Sequence, residues 1–451
     1  MKIALVTVGC KLNQYETSAM SEMLKENGFE IVPFISNADF YIINSCSVTK
    51  KAELDTRKFI KSSKHINPDS KIIVTGCCAK FIDPDSVSLV LDNKQKTRIV
   101  DHICKLSPAR ITMSRSGKNL SFSQNLPLNS SLSEGDSSSS IYEKSTTAFF
   151  PLLKTFYGHS RAFIKIQDGC SVSCSYCIVP LVRGGSRSQS RDEIIEQAKI
   201  FIGRGYKEMV ISGVNVGAYG RDLTPKINLA NLLKEIISIP KLGRIRLSSI
   251  EPQEFDRELI DVITDPKICP HLHLPLQSGD DKTLEAMGRK YRLKDYLQLT
   301  DTLFKKIPNL NLGTDVIVGF PGEGDEEFDN TYEFIKSIPF AYLHIFRYSQ
   351  RPNTKAVLLK DQVPEKIKKE RALKLALLNK QKKDSYAEKY LNKSLPVFIE
   401  KQRDKKTKKW VGLSDNYLRI YVNGPEEIKS QIVMVKITEL GDRILGEVIC
   451  H

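Results

Sequence analysis

The sequence predicts an α/β protein in three parts: an N-terminal open parallel α/β domain, a central series of β/α units and a small C-terminal all-β module. Near the N-terminus, short β-branched runs alternate with helical stretches, which is the pattern of buried parallel strands. In the middle of the chain, six strand cores recur with helical sequence after most of them, and this spacing suits parallel strands joined by helical crossovers. The last part of the chain has four short strand-like pieces separated by turn residues. A length of 451 residues also favours about three domains.

The predicted N-terminal strands each lead directly to a cysteine. In an open α/β sheet, the loops beyond the carboxyl ends of the strands converge on one crevice, so cysteines that are far apart in sequence can meet there. A single cysteine of this kind is more often a small buried core residue, but three of them at three strand ends favour a metal cluster. The strands are predicted over 3–9, 40–45 and 72–76, the helices over 14–27 (opened by Asn13) and 50–65, and the cysteines are Cys10, Cys46 and Cys77.

A second set of three cysteines forms a local motif. Cys170, Cys174 and Cys177 have the spacing C-x3-C-x2-C directly after a strand-like segment at 162–167. Cubane iron–sulfur clusters are usually held by four cysteine thiolates, so three cysteines leave one iron open to bind a substrate. The alternative is a structural zinc site or a group of unrelated buried cysteines. Because structural zinc normally needs four protein ligands and no second cysteine pair lies nearby, an iron–sulfur cluster is favoured.

The three-cysteine motif resembles the signature of the radical S-adenosylmethionine (SAM) enzymes. In that family the open iron chelates the amino and carboxylate groups of SAM, and an electron from the cluster splits SAM to give a 5′-deoxyadenosyl radical. The N-terminal cysteine segments narrow the resemblance to the methylthiotransferases, and the match covers nearly the whole chain apart from one insert. The segments that carry the resemblance are 7–17, 44–49, 74–77 and 167–188.

This resemblance implies a partial β/α barrel of six units in the centre of the chain, with the chemistry at the carboxyl ends of its strands. It also implies two roles for SAM: one molecule donates a methyl group to sulfur carried at the N-terminal cluster, and another is cleaved at the second cluster. The family pattern places the third N-terminal ligand directly after Gly76, so Cys77 is the ligand and Cys78 a bystander. The two implied 4Fe–4S clusters are then held by Cys10, Cys46 and Cys77, and by Cys170, Cys174 and Cys177.

Polar residues follow several of the predicted central strands, where a barrel of this type binds its ligands. Gly213 resembles the family's glycine-rich contact with the amino group of SAM, and Asn215 lies in the same loop. Glu251 and Gln277 are candidates for hydrogen bonds to the ribose or the carboxylate of SAM. The alternative for each of the four is a loop or helix cap. Asp315 lies at a further predicted strand.

The formal net charge of +15 indicates a polyanionic partner. Much of the excess lies on a predicted C-terminal helix and on the segment after it. Charge runs are most often solvated faces, but here they lead into the all-β module, which resembles the TRAM domain, an RNA-binding β-barrel. Trp410 and Tyr417 are candidates for stacking on bases, with the barrel core as the alternative for Trp410. The strands of this module are predicted over 395–399, 417–422, 432–437 and 444–449, and the cations are Lys366, Lys368, Lys369, Arg371, Lys374, Lys380, Lys382, Lys383, Lys401, Arg403, Lys405, Lys406, Lys408 and Lys409.

Residues 107–155 separate the first two domains and contain a Ser-rich stretch typical of a flexible linker. No apolar run approaches the roughly 18 residues of a membrane span, and the N-terminus lacks the features of a targeting segment, so a cytoplasmic location is expected. Cysteines in such a chain indicate metal binding or catalysis and not disulfides. The predicted domains are 1–106 (methylthiotransferase), 107–155 (linker), 156–388 (radical SAM) and 389–451 (TRAM-like).

The resemblance implies a tRNA methylthiotransferase that acts on C2 of an adenosine. The run at 158–167 is more similar to the branch that acts on N6-threonylcarbamoyladenosine at position 37 than to the isopentenyladenosine branch. A third branch modifies a ribosomal protein, but the basic C-terminal part argues for RNA. An alternative of another class is a non-catalytic RNA-binding iron–sulfur protein, against which the intact three-cysteine motif counts. The expected partners are tRNA and an electron donor such as flavodoxin or ferredoxin, whereas the sequence does not identify the sulfur donor.

Overall fold

The N-terminal part of the molecule is a five-stranded parallel sheet with helices packed against it. The computed structural model describes residues 1–107, 149–156 and 159–450. The strands are β1 (Lys2–Thr7), β2 (Glu30–Val32), β3 (Phe40–Ser45), β4 (Lys71–Gly76) and β5 (Leu89–Val90), and the helices are α1 (Lys11–Glu26), α2 (Lys50–Ile66) and α3 (Ile99–Leu106). The order is β2-β1-β3-β4-β5, and the central strand β3 is buried along its whole length. The three predicted strands are confirmed, whereas the edge strands β2 and β5 are too short to give a sequence pattern.

The first helix begins earlier than the sequence predicts, at Lys11, with Cys10 as its N-cap. Asn13 therefore does not open the helix, and that prediction is wrong. Its buried amide instead donates to the carbonyl of Val8 over 2.8 Å and to the carbonyl of Ser45 over 2.9 Å. One of these carbonyls lies just after β1 and the other belongs to the last residue of β3. Asn13 thus satisfies both and joins two segments that each lead to a cysteine.

All six strands predicted for the central region form, each parallel to its neighbours. Two further short strands, β7 and β8, bring the strands of this region to β6 (Ala162–Lys165), β7 (Gln167–Asp168), β8 (Arg187–Ser188), β9 (Glu208–Ser212), β10 (Arg244–Leu247), β11 (His271–His273), β12 (Asn311–Val318) and β13 (Tyr342–Arg347). The helices are α4 (Val179–Arg183), α5 (Arg191–Gly203), α6 (Leu229–Ser238), α7 (Arg257–Val262), α8 (Asp281–Ala286), α9 (Leu293–Lys306) and α10 (Asp325–Ser337). The strand orders are β10-β9-β6 and β11-β12-β13, with β7 and β8 as a separate antiparallel pair. The two halves meet where Ile245 bridges to Ile268, which gives an open β/α barrel.

The end of the predicted linker is packed into the core. Phe150 and Leu153 are buried among side chains of the N-terminal sheet and of the central strands, which share one hydrophobic core. The Leu153 backbone exchanges two hydrogen bonds with the amide of Gln197, over 2.7 and 2.8 Å. Residues 149–155 therefore belong to the packed structure, although the sequence places them in the linker. Residues 108–148 of that linker, and Gly158 of the run 158–167, lie outside the described residues.

The C-terminal module is a closed five-stranded barrel. Its strands are β14 (Ser394–Arg403), β15 (Trp410–Ser414), β16 (Arg419–Val422), β17 (Ile432–Glu439) and β18 (Ile444–Cys450), in the order β14-β15-β16-β18-β17. The sequence predicts four of these strands and misses β15. Trp410 is 2% exposed and donates from its indole to the carbonyl of Gly424 over 3.0 Å. Tyr417 stacks on His271 of the central barrel. Trp410 therefore belongs to the barrel core, which is the alternative given for it, and does not stack on bases. Tyr417 is half-buried, so its stacking on bases remains a prediction.

The basic helix before this barrel is only partly a solvated face. It is α11 (Glu365–Glu388), and Lys368 and Arg371 are buried on it. Arg371 donates to Glu323 over 2.8 Å and to Asp325 over 2.9 Å, so its charge is used within the fold. In the described ranges, no helix combines the length and the apolar character needed to cross a membrane.

Candidate functional site

The three N-terminal cysteines follow neighbouring strands of one sheet. Cys46 and Cys77 directly follow β3 and β4, and Cys10 comes three residues after the end of β1. Adjacent loops are tied by backbone hydrogen bonds, such as the one from Cys77 N to Ser45 O at 3.0 Å. Gly9, which precedes Cys10, has φ +104, and a Cβ there would lie 2.5 Å from Cβ of Cys46. Only glycine lets these two loops approach so closely. The sheet topology therefore brings the three predicted ligands to one edge.

These cysteines are not equally exposed. Cys46 and Cys77 are buried residues, whereas Cys10 is an exposed residue. Burial raises the pKa of the Cys46 thiol to about 12, with smaller contributions from the neighbouring Cys77 and Cys10 thiolates. Cys78 packs on the other side, in an apolar cluster with Ile43 and Ile72. The packing of Cys78 among apolar side chains fits the prediction that Cys78 is a bystander.

The second cysteine loop leaves β7 through Gly169. Gly169 has φ +70, and a Cβ there would lie 2.1 Å from the carbonyl oxygen of Gly185, so the position requires glycine. Cys170 N donates to the carbonyl of Gly184 over 3.0 Å, and Cys177 N donates to the carbonyl of Cys174 over 3.1 Å. All three cysteines of the motif are half-buried. The loop is thus held by backbone contacts while its thiols stay accessible.

An arginine lies against the second cysteine loop. The Arg289 guanidinium donates to Sγ of Cys174 over 3.5 Å and forms an ion pair with Glu251, one of the predicted SAM contacts. Its Nε donates to the hydroxyl of Tyr291 over 3.2 Å. Glu251 therefore lies beside the cysteine loop, as predicted, but one face of its carboxylate is already paired.

Gln167 ties the cysteine loop to the predicted glycine loop after β9. Its side-chain oxygen accepts from the backbone N–H of Val214 over 2.9 Å and of Asn215 over 2.8 Å. Its side-chain nitrogen donates to the carbonyl of Gly169 over 2.6 Å. A Cβ on Gly213 would come within 3.0 Å of the same Gln167 oxygen. Gly213 and Asn215 are thus brought to the cysteine motif by a residue whose role the sequence did not reveal.

Gln277, the fourth predicted SAM contact, is buried and has a left-handed backbone with φ +70. Its N–H donates to the carbonyl of Asp315 over 2.8 Å, and its carbonyl accepts from the N–H of Ile317 over 2.9 Å, so its backbone extends the β11–β12 pairing. These backbone hydrogen bonds define its place in the sheet, and they do not connect it to either cysteine loop.

Asp315 lies within a polar group on three neighbouring strands. Its Oδ1 accepts from Nε2 of His273 over 2.9 Å and from Nδ1 of His344 over 3.2 Å. The hydroxyl of Tyr342 lies 3.1 Å from the other ring nitrogen of His273. Although burial opposes ionisation, the two imidazoles hold the pKa of Asp315 below its usual range. The sequence placed Asp315 at a strand but did not predict its histidine partners.

Five buried charged side chains connect the two cysteine loops. Lys165 donates to Glu16 and to Asp168, each over 2.8 Å, and Arg183 donates to Glu16 over 3.0 Å and to Asp168 over 2.9 Å. Lys96 forms an ion pair with Glu16 as well. All five are at most 4% exposed. Although burial opposes ionisation, Arg183, Lys165 and Lys96 hold the pKa of Glu16 well below its usual range.

Known proteins match this chain over nearly its whole length. Residues 164–335 match the radical SAM superfamily, and residues 2–92 match a family described as uncharacterized protein family UPF0004. The threonylcarbamoyladenosine tRNA methylthiotransferase MtaB of Bacillus subtilis is 36% identical over 448 residues, which cover 97% of this chain and 94% of the relative. The enzyme of the same name from Thermotoga maritima is 37% identical over 88% of this chain and 86% of the relative. The chain belongs to the radical SAM methylthiotransferase family.

Within this methylthiotransferase family, relatives from two branches differ in their sequence identity to this chain. Five relatives named threonylcarbamoyladenosine tRNA methylthiotransferase are 34–37% identical to this chain. A tRNA-2-methylthio-N(6)-dimethylallyladenosine synthase of Clostridium tetani is 32% identical over 96% of this chain and 93% of the relative. The chain therefore groups with the MtaB branch. Among solved structures, the radical SAM methyltransferase TsrM of Kitasatospora setae is similar in fold, with a TM-score of 0.53, 13% identity, and coverage of 79% of this chain and 73% of that one.

Membership of the radical SAM superfamily implies a 4Fe–4S cluster and SAM, and the donor set of this methylthiotransferase fits them. Three accessible thiols lie on the loop after β7, and the buried side-chain oxygen of Asn215 has no partner among the described residues, so it can accept from an amino group. The N-terminal thiols fit a cluster too. The hydroxyl of Ser47, next to Cys46, is buried and lacks a partner in the described part of the chain, and a cluster sulfide would satisfy it.

Sequence patterns in this methylthiotransferase did not reveal the residues that hold the cysteine loops, namely Glu16, Lys96, Lys165, Gln167, Asp168, Arg183 and Arg289. One signal was available. Lys165 lies inside an apolar strand between Ile164 and Ile166, and a lysine is almost never fully buried unless it is paired. A buried cation there requires a carboxylate from elsewhere in the chain, but the strand itself does not identify which one.

Proposed function

We propose that this chain adds a methylthio group to C2 of N6-threonylcarbamoyladenosine at position 37 of tRNA. The observation that carries the proposal is the pairing of two three-cysteine sets, joined by buried contacts, in a chain that groups with the threonylcarbamoyladenosine branch. Cys77 packs against Ile178 and Val182, the residues that follow the second cysteine motif. This contact supports two clusters that act on one substrate between them. A non-catalytic RNA-binding protein would not need this arrangement.

Cys170, Cys174 and Cys177 would hold the radical SAM cluster, and Cys10, Cys46 and Cys77 an auxiliary 4Fe–4S cluster. When bound, the first cluster and SAM supply a 5′-deoxyadenosyl radical, which the reaction needs because the C2–H bond of adenosine has neither an acidic proton nor a leaving group. Cysteine binds metal as the thiolate, so cluster binding would be coupled to the release of thiol protons.

The protein's own residues would position SAM beside the first cluster. Gln167 holds the Gly213–Asn215 loop against the cysteine motif, so the Asn215 side-chain oxygen can accept from the amino group of SAM. Arg289 lies between Glu251 and Cys174, where its positive charge would balance both the carboxylate and a cluster thiolate. Glu251 keeps acceptor capacity for the ribose, because a carboxylate has about four lone-pair sites.

The C-terminal barrel would bind tRNA through the loop between β14 and β15. Lys405, Lys406 and Lys408 are exposed there and form no ion pair among the described residues. Phosphate contacts from such cations supply sequence-independent affinity for nucleic acid. This barrel resembles a TRAM domain by its strands and by its position after α11.

We expect a cytoplasmic enzyme that takes electrons from a flavodoxin or ferredoxin, and we assign no sulfur donor.

The test is mass spectrometry of tRNA nucleosides from a strain that lacks the gene. The expected result is loss of 2-methylthio-N6-threonylcarbamoyladenosine, accumulation of N6-threonylcarbamoyladenosine, and unchanged isopentenyladenosine derivatives. The wild-type gene should restore the product, and a gene with Cys170→Ala should not. Loss of the methylthio group from isopentenyladenosine alone would overturn the substrate assignment. No change in any tRNA nucleoside would overturn the tRNA function.

A further inference from the structure

Arg183 lies between the two cysteine loops and contacts both. Its Nε donates to Sγ of Cys77 over 3.2 Å, and one terminal nitrogen donates to the side-chain oxygen of Asn13 over 2.7 Å. The residue is 4% exposed. A guanidinium does not lose its proton in proteins, so Arg183 places a permanent positive charge against one thiolate of the N-terminal set.

The same side chain is anchored on the second cysteine loop. Its other terminal nitrogen donates to Oδ1 of Asp168 over 2.9 Å, and that oxygen also accepts from the N–H of Gly169 over 2.7 Å. Gly169 directly precedes Cys170, whose N–H donates to the carbonyl of Gly184, the residue after Arg183. Arg183 is therefore fixed in place by the second loop and reaches from there to the first.

Cys77 differs from the other N-terminal cysteines in its hydrogen-bond donors. Besides Arg183, the side-chain nitrogen of Asn93 lies 3.9 Å from the sulfur of Cys77. Lys96 donates a hydrogen bond to the side-chain oxygen of the same Asn93 over 2.7 Å. Within the part of the chain that the structure describes, no arginine or lysine donates to the sulfur of Cys10 or Cys46. The charged hydrogen bond is thus directed at one of the three proposed ligands.

Hydrogen bonds and positive charge at cluster sulfurs stabilise the form with more negative charge, which is the reduced form. We propose that Arg183 is a positioning residue that raises the reduction potential of the N-terminal cluster and fixes the Cys77 loop to the Cys170 loop. This inference rests on the N-terminal cluster of the proposed function. It does not depend on which adenosine is the substrate.

The test is a redox titration of the full-length chain in which Cys170, Cys174 and Cys177 are all replaced by Ala, so that only the N-terminal cluster remains. Dithionite supplies the one electron that converts the 2+ cluster to the 1+ cluster, and electron paramagnetic resonance follows the reduced form. Arg183→Gln should move the potential to a more negative value. Arg183→Lys keeps the charge but loses the planar fork of donors, so it should give a smaller shift in the same direction.

The matched control is Arg187→Gln in the same background. Arg187 also carries a positive charge near Asp168, at 3.8 Å, but its hydrogen bond goes to the carbonyl of Arg183 and not to a cysteine. Arg187→Gln should shift the reduction potential of the N-terminal cluster by less than Arg183→Gln does. The reciprocal background replaces Cys10, Cys46 and Cys77 by Ala, and there Arg183→Gln should move the potential of the remaining cluster by less.

Iron content separates the outcomes. An Arg183→Gln or Arg183→Lys protein with full iron and an unchanged potential would overturn the inference, and so would equal shifts in the two backgrounds. If both variants lose the N-terminal iron, Arg183 is a structural residue and the redox role is wrong. If the background protein itself holds no iron, the N-terminal cluster of the proposed function is wrong, which is a different result.

Discussion

The Tyr417 ring lies flat against the His271 ring, with their centroids 3.9 Å apart and 17° between their planes. Tyr417 belongs to the C-terminal barrel and His271 to β11, so this stack joins the two barrels. The Arg246 guanidinium lies 5.1 Å from the centre of the Tyr417 ring and donates to the carbonyls of Ser414 and Asp415, each over 2.9 Å. The C-terminal barrel is therefore docked by buried arginine and aromatic contacts.

Glu208 is the carboxylate on which this docking depends. It is fully buried and accepts from Nε of Arg244 over 2.7 Å and from Nε of Arg246 over 3.0 Å. Glu208→Gln should lower the free energy of unfolding by about 3–5 kcal/mol, because it leaves buried guanidinium groups without their counter-charge. Chemical denaturation measures the change. Glu400→Gln is the control, since its pair with Arg161 is partly exposed, and it should cost less than about 1 kcal/mol. Equal losses would show that burial does not decide the effect.

The contribution of Glu208 should also depend on pH. Burial opposes its ionisation, but Arg246 and Arg244 hold the pKa of Glu208 at about 2. A carboxyl pKa that is lower in the folded state adds stability. This stability is fully present above the pKa of glutamate in the unfolded chain, about 4.3, and is lost as the pH falls toward 2. The difference in unfolding free energy between wild type and Glu208→Gln should therefore be constant above about pH 5 and shrink below about pH 4. A difference that stays constant down to pH 2 would contradict the lowered pKa.

The two cysteine sets should hold separate clusters. Anaerobically reconstituted wild-type protein should contain about eight irons, as two 4Fe–4S clusters. Replacing Cys170, Cys174 and Cys177 together by Ala should leave about half of that iron and abolish SAM cleavage, because no iron remains to bind SAM. Iron analysis and assay of 5′-deoxyadenosine measure the two results. A triple variant that still cleaves SAM would refute the assignment.

Two neighbouring cysteines should behave differently. Cys77 receives the Arg183 hydrogen bond, whereas Cys78 packs among apolar side chains on the other side of β4. Cys77→Ala should therefore lose the N-terminal cluster, and Cys78→Ala should keep it. Both variants should keep the second cluster, so iron per chain falls by about half only in the first. The reverse pattern would make Cys78 the ligand.

The loop between β14 and β15 should supply much of the salt-dependent affinity for tRNA. Removing the whole C-terminal barrel would uncover Arg244 and Arg246, so substitution of surface charges is the cleaner experiment. Replacing Lys405, Lys406 and Lys408 together by Gln should weaken binding and flatten its salt dependence. The slope should fall by roughly 0.7–0.9 log units per tenfold salt for each phosphate that the variant no longer neutralises.

A charge-matched variant controls for the change in net charge. Lys61, Lys64 and Lys71 are exposed on the N-terminal domain, and their joint replacement by Gln removes the same charge elsewhere. Fluorescence-anisotropy titrations of both variants at several salt concentrations make the comparison. If both triple variants behave alike, the C-terminal loop has no special role in RNA binding.

Local pattern was enough to predict most of the strands and to place the two cysteine sets at strand ends. The six central strands and the three main N-terminal strands appear as short β-branched runs, and each cysteine follows such a run or lies in a spaced motif. Strand β15 was missed because it begins at Trp410, directly after a cluster of lysines, and so resembles the end of a charged segment. Asn13 was assigned to a helix cap because the sequence does not show the two carbonyls that its amide satisfies.

The order of elements, the two cysteine sets and the excess of basic charge could be read from the sequence, since each of these depends on residue type and spacing along the chain. Which charges are buried together depends on how the chain folds. Arg183 and Glu16 are 167 positions apart, and Lys165 and Glu16 are 149 apart. A buried ion pair needs a partner at a few ångströms, and that partner can come from any element that the fold brings near. No local pattern encodes the choice, so the link between the two cysteine loops appears only when the chain is folded.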